Sequence, residues 1–212
     1  MVQDVSYEAV RYTHDPKRAA VWAAVASYLS KWIPPTGTTL ELAAGYCDLS
    51  NALDATRRVA IDISPALPRH ATAGVETHVG DATDLSAFES SSVDTVLASN
   101  FFEHLSHAQV DCTLDEILRV LKPSGKVILI QPNFRLAPRR YFDDYTHRTI
   151  FTDTSLRDHV ASRGFTIERV EARFLPFSMQ SRLSFGYRLV PLYLRLPYRP
   201  LAGQMLVVAR RT

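Results

Sequence analysis

Thr38-Thr39-Leu40-Glu41-Leu42-Ala43-Ala44-Gly45-Tyr46-Cys47-Asp48 is the stretch on which the reading of this chain turns. Its first half, Thr38–Leu42, reads as a short strand. Its second half carries small residues at 43, 44 and 45, which let the backbone pass close to a ligand. Glu41 comes just before that turn. An acid there repels phosphate and suits a cationic ligand with an amino group. A dinucleotide site would instead want G-x-G-x-x-G, with a pyrophosphate on a helix N-terminus, and here only Gly45 is present.

Outward from this stretch, strands and helices alternate. Upstream, Val21, Trp22, Val25, Leu29 and Trp32 recur at helical spacing after the capping pair Asp15-Pro16, and Pro34-Pro35 stop the helix. Downstream, Arg58–Asp62, Thr77–Val79 and Val93–Ser99 read as strands two to four. Ser106 with Gln109 forms a capping-box pattern before the apolar stripe Val110, Leu114, Ile117, Leu118 and Leu121. Lys122-Pro123-Ser124-Gly125 ends that helix. Lys126–Gln131 is apolar on both faces, as a central parallel strand should be. After an irregular stretch from Pro132 to Phe151, a helix at about 154–163 precedes two final strands, Phe165–Phe174 and Gln204–Arg210. These two lack room for a regular crossover and are expected to pair antiparallel at the sheet edge. The pattern predicts an α/β fold: a doubly wound, Rossmann-like, seven-stranded, mostly parallel sheet with an antiparallel last strand. With 212 residues and 46% hydrophobic composition, one domain is expected over 1–212. It divides into a helical cap (1–37), a cofactor-binding core (38–131), an acceptor loop (132–151) and a basic apolar insertion (175–203).

Ligands of open α/β sheets sit beyond the carboxyl ends of the strands, where strand order reverses. The second strand ends in Asp62-Ile63, whose carboxylate can accept both hydroxyls of a ribose. The third runs into Gly80-Asp81-Ala82, where an acid can take the exocyclic amine of adenine. The fourth ends in Ser99-Asn100-Phe101-Phe102-Glu103-His104. In this order the motifs resemble the class I S-adenosylmethionine-dependent methyltransferases, over roughly residues 38–131 and the last two strands. Glu41, Ala43, Gly45 and Cys47 fall on that family's acid-x-Gly-x-Gly-x-Gly loop, with Ala43 and Cys47 where glycine is usual. The resemblance implies S-adenosylmethionine as cofactor, held by Glu41, Ala43, Gly45, Asp62, Ile63, Asp81, Ala82, Asn100 and Phe101.

The acceptor side is read from Tyr141-Phe142-Asp143-Asp144-Tyr145-Thr146-His147. Tyr141 and Tyr145 offer flat faces for a sugar ring, and Asp143, with Glu103, can accept from sugar hydroxyls. His147, with an ordinary pKa of about 6.5, suits a general base, with Asp144 orienting it. His104 is the rival catalytic residue, although in the family Glu-His at that place more often supports the cofactor pocket. The carboxylate pair Asp143 and Asp144 is also a candidate for Mg²⁺, which takes oxygen ligands.

Asn100-Phe101-Phe102 lacks the prolines of Asp/Asn-Pro-Pro-Tyr/Phe, the form seen in enzymes that methylate base amines, and no Lys/Arg stripe suggests nucleic acid. The segment from Phe165 on, with Arg173-Phe174-Leu175-Pro176-Phe177-Ser178, Ser181-Arg182-Leu183 and Tyr193-Leu194-Arg195-Leu196-Pro197, resembles a bacterial subgroup linked to glycan and polysaccharide assembly. It is also similar to the methyltransferases of mycobacterial methylmannose polysaccharides. That implies an O-methyltransferase acting on a sugar or oligosaccharide, lipid-linked or not. Another small hydroxyl or amine acceptor, and a non-catalytic cofactor-binding scaffold, stay open as alternatives.

The last 41 residues hold seven arginines and no acid, +7 against −5 for the other 171. Such a segment suits an anionic partner, a membrane surface at the inner face, or a homodimer contact; otherwise its arginines pair with acids of the fold. No apolar run reaches the roughly 20 residues of a spanning helix. The residues Met1–Val10 lack a signal-peptide apolar block, and two cysteines, Cys47 and Cys112, suit a reducing cytoplasm.

Overall fold

The computed structural model describes residues 17–177 and 186–212. The expected cap at Asp15-Pro16, the rest of the first 16 residues, and Ser178, Ser181, Arg182 and Leu183 lie outside the described residues. Seven strands are described: β1 (Thr38–Leu42), β2 (Arg57–Asp62), β3 (Val75–Val79), β4 (Val93–Ser99), β5 (Leu121–Pro132), β6 (Phe165–Glu171) and β7 (Gln204–Arg211). They form one sheet in the order β3-β2-β1-β4-β5-β7-β6. Strands β1 to β5 pair in parallel, whereas β7 runs antiparallel to both β5 and β6. The α/β fold expected from the alternation is therefore present, with the strand order reversing between β1 and β4.

Helices cover both faces. On one, α4 (His107–Val120) and α5 (Asp153–Ser162) bury Val110, Leu114, Ile117, Leu156 and Val160 against Val96, Ala98, Val127, Leu129, Met205 and Val207. On the other, α1 (Lys17–Leu29) buries Val21, Trp22, Val25 and Leu29 against Leu97, Ile128, Ile130, Leu206 and Val208. Adjacent residues of β5 thus serve opposite layers, which is why its sequence is apolar without alternation. Three shorter helices, α2 (Asp48–Ala52), α3 (Leu67–His70) and α6 (Val190–Arg195), complete the described set.

Several boundaries differ from the sequence reading. The capping box Ser106/Gln109 starts α4 as expected, but Leu121 opens β5 instead of closing the helix. Residues 122–125 bulge out of the β4–β5 ladder between Leu121 and Lys126. Ser124 is left-handed there, and a Cβ at Gly125 would lie 2.8 Å from the Lys122 carbonyl. Strand β6 stops at Glu171, short of Phe174, because Phe174 turns inward to pack with α1.

The basic segment is less basic at its surface than its composition suggests. Arg199 is buried: it pairs with Glu171 and donates to the carbonyls of Leu194 (2.7 Å) and Arg173 (3.0 Å) and to the Tyr28 hydroxyl (3.0 Å). Arg210 sits 3.3 Å from Glu168, and Arg211 caps the carbonyl of Leu121. Arg199 therefore ties the insertion to α1 and β6.

Candidate functional site

Three alternate residues after β1 share one unusual backbone state: Ala43 (φ 51°), Gly45 (φ 51°) and Cys47 (φ 56°) are all left-handed. For a non-glycine residue that state costs roughly 1–2 kcal/mol, so the loop's geometry is held by its surroundings. Those surroundings are two carboxylates. Buried Asp62, at the end of β2, accepts the Gly45 N–H on Oδ2 and the Ser64 N–H on Oδ1, each at 2.8 Å. Buried Glu41 accepts the Ser50 N–H at 2.8 Å and the Ser50 hydroxyl, anchoring α2. Burial pushes the Glu41 carboxyl up to about 7, against the lowering by Ser50.

The remaining cofactor candidates lie on the same side of the sheet. Ile63, next to Asp62, is 76% exposed, an apolar face that the fold leaves uncovered. Asp81 is exposed, with Oδ1 accepting from the Thr83 N–H and hydroxyl at 2.8 Å, while Ala82 is buried below it. Asn100 is left-handed (φ 50°) and held by Gln204, whose Nε2 donates to Asn100 Oδ1 at 3.0 Å; Phe101 follows, half-buried. These residues fit S-adenosylmethionine. Two of the four or so lone-pair positions of Asp62 are used, leaving two for ribose hydroxyls. Ile63 can cover one face of a purine, and the acid-lined loop suits a cationic sulfur and an amine.

A second cluster follows β4. Glu103 lies in the turn Phe102–His104 and is 1% exposed, and among the described residues neither of its carboxylate oxygens has a hydrogen-bond partner. Burial, with Asp144 nearby, pushes its carboxyl up to about 8. The loop from β5 docks onto the same turn: Arg148 and Thr149 donate backbone N–H bonds to the Glu103 carbonyl at 2.7 and 3.1 Å. His104 Nδ1 lies 2.8 Å from the Thr146 hydroxyl, which in turn donates to Asp144 Oδ1 at 2.6 Å. The Thr146 hydroxyl has a single proton, already directed to Asp144. His104 must then donate through Nδ1, leaving Nε2 as the acceptor. His104 Nε2 is 3.9 Å from Glu103 Oε1, and the His104 and His147 rings are 4.9 Å apart. Burial, and then His147, lower the His104 pKa, against the raising effect of Asp144.

The structure redistributes the acceptor-side expectations. Tyr141 is fully buried, its hydroxyl on the Thr149 carbonyl at 2.5 Å and its ring on His147 and Phe134. It is a wall of the loop's own core, not a platform for a sugar. Tyr145 is 75% exposed, and neighbouring Phe142 is exposed too. Asp143 is exposed, 4.0 Å from Arg140, while Asp144 reaches His104 through Thr146. The acid–histidine set that converges is Glu103, His104 and His147, with ligand atoms all within 4.8 Å. Thr146 and Ser64 were missed by sequence reasoning. Ser64 was findable as the second residue after an acid at a strand end, whereas nothing in the spacing marks Thr146. A cleft of about 480 Å³ bounded by Trp32, Pro34, Asp94 and Lys122 lies at the opposite, amino ends of the strands. Two of its charges pair with each other, Lys122 Nζ to Asp94 at 2.7 Å.

Residues 40–129 match the family model described as "Methyltransferase domain". Solved structures share the fold. A SAM-dependent methyltransferase from Archaeoglobus fulgidus superposes with TM-score 0.63 at 17% identity, covering 90% of this chain and 94% of that one. An S-adenosylmethionine-dependent methyltransferase from Mesorhizobium loti gives 0.64 at 17% identity, over 89% and 98%. The PH0226 protein from Pyrococcus horikoshii OT3 gives 0.66 at 23% identity, over 99% and 94%. No curated relative matches the sequence. The chain thus has the fold of the SAM-dependent methyltransferases, and its central strands match the family's domain model. Among the described residues, no helix is long and apolar enough to cross a membrane.

Proposed function

We propose that this chain is an S-adenosylmethionine-dependent O-methyltransferase whose acceptor is a hydroxyl of a sugar or oligosaccharide. The observation that carries the reading is the docking of the 132–151 loop onto the turn after β4. It brings His147, Asp144 and Thr146 against His104, beside the acid-lined cofactor crevice.

The cofactor supplies a methyl group on a positively charged sulfur. Asp62, Ile63, Asp81 and Ala82 would hold its nucleoside, and Glu41 with the loop 43–47 would suit its cationic portion. The histidine pair accepts the acceptor's hydroxyl proton, with Asp144 orienting His104 through Thr146. Loss of that proton would ready the acceptor oxygen for the methyl group, which the bound cofactor would release with the carbon–sulfur electron pair left on its sulfur. Exposed Phe142 and Tyr145 offer aromatic faces to a sugar ring, and Asp143 accepts from its hydroxyls. Exposed Leu189, Leu192, Leu196 and Leu201, with exposed Arg188 and Arg195 adjoining them in sequence, support contact with a membrane-held, lipid-linked acceptor.

The test is transfer of labelled methyl groups to a panel of sugars, oligosaccharides and non-sugar hydroxyls, with His147→Ala alongside. Sugar acceptors should be methylated, and the variant should lose about 10²-fold or more in turnover at nearly unchanged cofactor affinity. Methylation confined to non-sugar acceptors would overturn the sugar reading, and undiminished turnover would remove His147 from the proton transfer.

A further inference from the structure

We propose that Glu103, His104 and His147 form a binding site for one divalent transition-metal ion of the zinc or cobalt type. Three independent observations converge on it. First, two imidazoles and a carboxylate present ligand atoms within 4.8 Å of one another, and His104 Nε2 is already 3.9 Å from Glu103 Oε1. Metal–ligand bonds of about 2.1 Å place tetrahedral donors about 3.4 Å apart, so closing the site needs side-chain movements of about 1 Å. Second, Glu103 is 1% exposed, and both of its oxygens lack a hydrogen-bond partner among the described residues. A buried carboxylate left so is costly, and a cation in the cluster is the partner it lacks. Third, His104 is oriented as metal-bound histidines are. Its far nitrogen, Nδ1, is tied to Thr146 and through it to the Asp144 carboxylate, which fixes the tautomer with Nε2 facing Glu103.

The donor set selects the metal. Two nitrogens and one oxygen suit zinc or cobalt, whereas Mg²⁺ prefers oxygen ligands and retained water. Three protein ligands leave a position open, and an oxygen bound there loses its proton near neutral pH. This part rests on the methyl-transfer reading but replaces its base: with both histidines committed as ligands, the ion would lower the pKa of an acceptor hydroxyl in that position, whose proton would leave to water. Metal binding itself does not rest on it.

The full-length protein, stripped with chelator and dialysed against Zn²⁺ or Co²⁺, tests the site by metal content and by the visible absorption of bound Co²⁺. About one equivalent should be retained, with the intense visible bands of a low-coordinate cobalt centre. Glu103→Gln and the double variant His104→Ala/His147→Ala should lose that equivalent. Thr146→Val, which touches no metal, should keep the fold by circular dichroism and bind about 10- to 100-fold more weakly. His159→Ala is the control, since His159 forms a separate surface pair with Asp111 at 2.7 Å and should leave binding unchanged. No retained metal in the folded wild-type protein would overturn the proposal, as would binding undiminished in Glu103→Gln. Retained metal without sugar methylation would leave the site standing and remove the sugar reading alone.

Discussion

Replacing Glu41 with glutamine should make the protein more stable at pH 8 and change little at pH 4. Glu41 is buried at the end of β1, with Ser50 as its hydrogen-bonding partner. Burial raises its carboxyl to about 7 from an ordinary 4.5. A group whose folded pKa lies above its unfolded one contributes its full stability below the unfolded value. That contribution is lost as pH climbs through the folded value. Between pH 4.5 and pH 8 the wild-type protein should therefore lose roughly 3 kcal/mol relative to Glu41→Gln. For a chain of this size that is about 6–12 °C in melting temperature. The glutamine side chain keeps the volume and can still accept the Ser50 N–H, so the comparison isolates the charge. Urea unfolding of both proteins at intervals from pH 4 to pH 8.5 reads the difference. S-adenosylmethionine affinity adds a second measure: a cation in the crevice favours ionised Glu41, so affinity should rise from pH 6 to 8 more steeply in wild type than in the variant. Stability curves that stay parallel across the range would defeat this account, because they would show Glu41 titrating at the same pH folded and unfolded.

Asp62→Ala should weaken cofactor binding by about 10²-fold or more, since it removes the ribose acceptor and frees the Gly45 and Ser64 amides that shape the loop; isothermal titration measures it. Arg199→Leu should lower stability by roughly 1.5–3 kcal/mol, since buried Glu171 loses one charged partner and keeps only the more exposed Arg169 at 3.0 Å, seen as a melting temperature lower by about 3–12 °C, with cofactor affinity little changed.

Local sequence was enough to specify the sheet. Strand and helix patterns are local: Thr38–Leu42, Val93–Ser99 and the apolar run in β5 each announce their element through residues within a few positions. Because a parallel sheet places every strand's carboxyl end on one edge, Glu41, Asp62, Asp81 and Asn100 could be placed on that common edge from chain order alone. Even the substituted glycine positions were legible, although only the backbone shows that Ala43 and Cys47 adopt the left-handed state that glycine would take without strain.

The cluster of Glu103, His104 and His147 emerged from long-range packing. His104 and His147 are 43 positions apart, and nothing in spacing or composition says that a loop following β5 returns its Thr149 amide to the Glu103 carbonyl. That return buries Tyr141, leaves Asp143 exposed, and inserts Thr146 between Asp144 and His104. Packing likewise makes Arg199, one of seven arginines in a segment without acids, an internal anchor paired with Glu171. Periodicity records which face a residue presents to its own element. Which distant charge meets it there depends on how loops close in space, and that is set by the packing of the whole chain.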